Sequence, residues 1–215
     1  QSAEMLRNAQ PGRKERFMEY RKELYDAVDK FFMEIVIPYG TTAAEAGQLV
    51  KKFKPFSKKN YDEFIEKFRE YAAMTETLSV KKDHIPAEDT MAAELAEAFE
   101  KCKTSFIRLC TRNADFYDFQ NRKVKKEHVT LDELQDISLK VNLAMNSAGR
   151  DIDVLENAYK EMKADDEPEY AKILQSEKDA IAKAREEQQK AQEQKIAKGS
   201  EENIRRVAKM RKRNK

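Results

Sequence analysis

Residues 130–162 read TLDELQDISLKVNLAMNSAGRDIDVLENAYKEM, and this stretch decides the fold. Its apolar residues, Leu134, Ile137, Val141, Met145, Ala148, Ile152, Leu155, Tyr159 and Met162, recur at steps of three and four. A helix turning once every 3.6 residues gathers those positions on one side, and a strand scatters them over both faces. Thr130 with Glu133 three residues on is an N-cap with its reciprocal partner, so the start of the helix is also written here. The small residues Ala144, Ser147, Ala148 and Gly149 fall together mid-helix, where tight packing of a neighbour is the expectation. A bend or a partner groove involving Asn142, Asn146 and Arg150 is the alternative.

Working outward, the preceding segment predicts a helix from about Ala87 to Lys126. Met91, Leu95, Phe99, Cys102, Phe106, Leu109 and Tyr117 lie on one side of it, and its length would reach about 60 Å. Only a few residues join these two helices, so they are expected to pack antiparallel. Upstream, Phe17, Tyr20, Leu24, Val28, Phe31 and Ile35 predict a helix over 13–37, stopped by Pro38 and Gly40. A shorter helix is expected over 42–53. Another follows with Tyr61, Phe64, Ile65, Phe68, Tyr71, Ala72 and Leu78 inward, started at Asn60 with Glu63 or at Ser57. Beyond a break at Pro168, a long polar helix is expected over 167–198, with Tyr170, Ile173, Leu174, Ile181 and Ala184 as its only apolar side. Gly199-Ser200 then reads as punctuation before a basic tail, 199–215.

The fold class that emerges is all-α: an elongated antiparallel helical bundle with long helices, coiled-coil-like spacing and an extended polar C-terminal helix. Residues 1–12 read as a flexible tether and 13–166 as the bundle body. Composition agrees, since 38% of the residues are charged and only 5 are Gly and 5 Pro.

Charge is uneven. The chain is +2 overall, but residues 199–215 hold seven Lys or Arg against two Glu, so that end is +5 and the remainder is −3. Such a total does not mark a nucleic-acid binder by itself. The basic end pairs Arg205, Arg206, Lys209, Arg211, Lys212 and Arg213 with Ile204, Val207 and Met210 behind them. The cations suit ionic contacts to a protein partner, an anionic membrane surface or nucleic-acid phosphate.

No catalytic motif is found. The two histidines, His84 and His128, flank one long helix and are too far apart to share a metal or a proton-transfer step. No Walker loop, Rossmann fingerprint, nucleophile elbow or Glu-x-x-His pair occurs. Cys102 and Cys110 lie roughly 12 Å apart along a helix, beyond the roughly 7 Å reach of a disulfide, and are expected as free core thiols. The run NADFYDFQNRKVKK, 113–126, mixes aromatics with cations. Core packing is its plain reading and a base-stacking or acidic-partner surface the sharper one. PYGTTAAEAG, 38–47, reads as a connection between helices, or else as a flap over one end of the bundle.

No cofactor or metal is therefore expected. The role expected is a non-enzymatic scaffold or protein-interaction module, contacting partners through helix faces and the basic end. The alternatives are a peripheral protein of anionic membranes, and an enzyme or ligand binder with a pocket between helices near 38–57. A first residue that is Gln leads us to expect a processed N-terminus, favouring the bacterial cell envelope or periplasm, with the cytoplasm as the other location.

Overall fold

The computed structural model describes the backbone of residues 11–52 and 60–213, with side chains over 18–52 and 60–209. It is an all-α bundle, and among the described residues no strand occurs. In chain order the elements are α1 (Pro11–Lys30), a π-helical segment (Phe31–Val36), α2 (Ile37–Lys51), α3 (Asp62–Thr77), a 3-10 turn (Lys82–His84), α4 (Thr90–Val124), α5 (Leu131–Asp166) and α6 (Pro168–Arg213). Two compact units result, residues 1–162 and 163–215.

In the first unit α4 is the central helix. Leu95, Phe99, Cys102, Phe106, Leu109 and Tyr117 are buried as expected, Met91 is half-buried, and Ala92, Ala96, Cys110, Ala114 and Phe119 extend the face. Cross-contacts give the directions. Arg21 meets Asp89, Phe31 meets Phe99 and Phe106, and Tyr39 meets Asn113, so α1, the π segment and α2 rise alongside α4. Tyr61 packs on Tyr117 while Lys103 donates to the Leu78 carbonyl, so α3 descends. Arg122 pairs with Glu133 across the loop to α5, and Tyr159 of α5 returns to Asp29 and Tyr25 of α1. The order is up, down, up, down, which short connections dictate.

The expected stop at Pro38 does not occur. The helix passes into α2 and ends at Lys51, so the two helices expected over 13–37 and 42–53 are one path. The π segment explains why. The Ile37 N–H bonds the Phe32 carbonyl, five residues back, and Pro38 then falls in the first turn of α2, where a missing N–H removes no intrahelical bond.

Starts and stops follow local chemistry. The Asp89 carboxylate caps α4 by accepting from the Ala92 N–H at 3.2 Å, which sets the start at Thr90 rather than Ala87. Thr130 Oγ1 accepts from the Glu133 N–H at 3.1 Å, as expected, but the Glu133 carboxylate pairs with Arg122 rather than reaching back to Thr130. At α3, Asn60 Oδ1 accepts from Asp62 N–H, two residues on, and Tyr61 is the boundary residue. Ser57 and Phe17 lie outside the residues whose side chains are described. The end of α4 turns on Lys126 at φ 57°, with Glu127 N–H reaching back to the Arg122 carbonyl.

Two apolar faces differ from expectation. On α5, Ala148, Leu155 and Met162 are buried and Leu134, Ile137, Val141, Ile152 and Tyr159 half-buried, but Met145 is 51% exposed. Gly149 is exposed too, and a Cβ there would meet nothing within 4 Å, so close packing does not account for it. On α6, Leu174 is buried and Tyr170 half-buried, under the Lys163 ammonium at 4.8 Å, whereas Ile173, Ile181 and Ala184 are exposed.

Candidate functional site

α6 runs without interruption from Pro168 to Arg213, so Gly199-Ser200 is no boundary and the separate tail at 199 does not exist as an element. Glycine ends helices by taking a positive φ, and none of the described glycines does. Gly199 costs about 1 kcal/mol relative to Ala, but the Ala, Gln, Glu, Lys and Arg on both sides are strong helix formers.

Continuity sets the phase of the side chains before and after Gly199. At about 100° per residue, Lys195, Lys198, Arg205, Arg206 and Lys209 fall within a sector about 100° wide. Ile196, Ala197, Ile204, Val207 and Ala208 fall on the side opposite. All ten are exposed, Ile196 at 72% and Ile204 at 66%. Among the described residues, no ion pair or hydrogen bond joins any of the five cations to a carboxylate, although Glu201 and Glu202 are close in sequence. Upstream on the same helix, Lys190 does pair with Glu186 at 2.6 Å.

Of the contact residues expected from sequence, Ile204, Arg205, Arg206, Val207 and Lys209 are brought onto this helix with cations and apolar groups on opposite sides. Met210, Arg211, Lys212 and Arg213 lie on its last turn, and their side chains are outside the described residues. Sequence reasoning missed Lys195, Lys198, Ile196 and Ala197. The three-and-four spacing across 195–209 carried the signal, and treating Gly199-Ser200 as a break concealed it.

The other candidate regions are filled. In the run 113–126, Tyr117 and Phe119 are buried and Phe116 half-buried. Tyr117 stacks on Phe68 at 5.7 Å, and the Arg122 guanidinium lies over Phe119. At the 38–47 segment Tyr39 packs edge-on against Phe68, Tyr71 and Phe106. The Thr42 and Tyr71 hydroxyls share a hydrogen bond of 2.8 Å, and Asn113 Nδ2 donates to the Tyr39 hydroxyl at 2.7 Å. Among the described residues no buried side-chain polar atom is without a partner, and no group of three His, Cys, Asp or Glu is placed to hold a metal. No described helix is long and apolar enough to cross a membrane.

Cys102 and Cys110 are free and buried, and burial pushes both thiols up to about 12, with the Asp151 charge adding to the shift at Cys102. An open depression of about 290 Å³ lies at the end of the bundle near Tyr20, between Glu23, Asp26 and Lys81 over Leu24, Val80 and Ile85. The nearby buried carboxylate, Asp89, is taken up by donors of the chain itself. It accepts from Tyr20, from Arg21 Nε and Nη2 at 2.7 Å each, and from Ala92. No family model matches the chain, and no curated protein or solved structure matches it either.

Proposed function

We propose that the chain is a non-enzymatic helical-bundle interaction module, and that the cationic side of α6 is its principal contact surface. One observation carries this reading: five exposed cations share one face of an unbroken helix, and among the described residues none of them is ion-paired to a carboxylate. A helix whose charges served only solubility would gain nothing from gathering them on one side, whereas a partner of opposite charge is met by all five together. The aromatic packing and paired polar groups at 38–47 favour the same reading over a pocket between helices.

The test is capture from native extract at low and physiological salt, comparing the full chain with a variant carrying Lys195→Gln, Lys198→Gln, Arg205→Gln, Arg206→Gln and Lys209→Gln. Glutamine keeps the helix propensity and removes the charge. A partner held by the full chain and lost by the variant, with helicity unchanged by circular dichroism, is the expected result. Identical captures would overturn the proposal.

A further inference from the structure

We infer that the partner of this face is double-stranded DNA, held through its phosphates and not read base by base. The inference rests on the proposal that α6 is the contact surface. It follows from where the cations sit relative to each other and to the apolar stripe.

The spread of the charges comes first. Lys198 and Arg205 edge the sector on one side and Arg206 on the other, so the outermost side chains diverge by about 100°. A flat anionic surface meets only the middle of such a fan. A groove with anionic walls meets both edges together. The major groove of B-form DNA, about 12 Å wide, admits a helix and lines both flanks with phosphate. The five cations extend over about 21 Å of helix, from Lys195 to Lys209, so successive charges reach successive phosphates. Glu202 lies inside the sector and lowers its net charge to +4.

The apolar stripe argues the same way. Ile196, Ile204 and Val207 lie opposite the cations, but three aliphatic side chains make too small an apolar face to hold the helix firmly in a bilayer. No Trp, Tyr or Phe follows Tyr170, which leaves the helix without an interfacial anchor. The same lack removes the stacking platform that single strands require and selects the duplex. No Asn or Gln falls within the sector to pair with adenine, and the cations at its two edges face the phosphate-lined walls, so the contacts are assigned to the backbone.

The test is fluorescence anisotropy of a random-sequence 20-bp DNA duplex titrated with the full chain. With about five phosphates neutralised, affinity should fall about 500-fold between 50 and 200 mM salt. The fivefold Gln variant should lose binding at 50 mM. A second variant, Ile196→Ser with Ile204→Ser and Val207→Ser, should keep it, since the stripe faces away. No binding at 50 mM, or binding that survives the Gln changes, would overturn the inference. So would adsorption to phosphatidylserine vesicles without duplex binding, which would assign the face to lipid. If the duplex is not bound but capture from extract still depends on the five cations, the contact surface stands and only its partner is reassigned. If capture is also indifferent to them, the contact surface itself falls.

Discussion

Asp89 shows how one side chain ties the bundle together. Burial disfavours its charge, yet hydrogen bonds from Arg21, Tyr20 and the Ala92 N–H, with the Arg21 charge, outweigh that cost and hold its carboxyl below the ordinary carboxylate range. Its folded-state value is depressed, so the pair contributes stability above the unfolded value of about 3.8 and loses that contribution as pH falls through the lower, folded value. Asp89→Asn keeps a good N-cap and deletes the charge that faces the buried Arg21. It should cost about 1.5–3 kcal/mol in urea unfolding at pH 7, and the gap to the native chain should begin to narrow below about pH 4 and go on narrowing through the lower, folded value. An unchanged midpoint at pH 7 would mean that the pair contributes little. Lys126 makes a second residue-scale case. A lysine at φ 57° is strained where glycine is not, so Lys126→Gly should raise stability by about 1 kcal/mol, read as a higher thermal midpoint. Both residues fell inside the helix expected from about Ala87 to Lys126, and neither role was legible there. Asp89 meets partners 68 and 69 residues away, and a backbone angle leaves no mark on a lysine.

At the scale of the element, apolar spacing was a reliable guide to faces and punctuation was a poor guide to ends. Tyr20, Leu24, Val28, Phe31 and Ile35 are all buried, and so are Ile65, Phe68, Tyr71 and Leu78, because their spacing determines what a helix can bury. Pro38 and Gly199 misled for different reasons. Pro38 follows a π segment that already shifts the hydrogen-bond ladder, and Gly199 stays in the right-handed region where only propensity opposes it. Met145 misled because period alone does not tell how wide a face the neighbours cover. Leu139, Leu143 and Val154 remain more than half exposed on the other side of α5. The glycines give an element-scale prediction. Gly149 lies mid-helix with space for a methyl group, so Gly149→Ala should stabilise the bundle by about 0.5–1 kcal/mol in thermal unfolding. Destabilisation would mean that a neighbour approaches that face more closely than the structure shows.

On the whole-molecule scale the chain divides its labour between two units. Residues 1–162 bury an aromatic and aliphatic core whose polar groups are paired. The second unit carries α6, whose described side chains beyond Leu174 are open to solvent. The imbalance of charge between the two was legible from composition, but the one-sidedness of the cations was not, since it depends on a helix passing unbroken through Gly199-Ser200. The claim that contacts concentrate there is tested most directly by labelling the full chain with an amine-reactive acylating reagent, alone and in native extract, and mapping which lysines the extract protects. Exposed lysines lie on both units, Lys22, Lys101 and Lys140 on the first and Lys195, Lys198 and Lys209 on the second, and each is compared with itself. The account predicts protection of Lys195, Lys198 and Lys209 well beyond that of the bundle lysines. Protection spread evenly over both units, or concentrated on Lys22, Lys101 and Lys140, would contradict it.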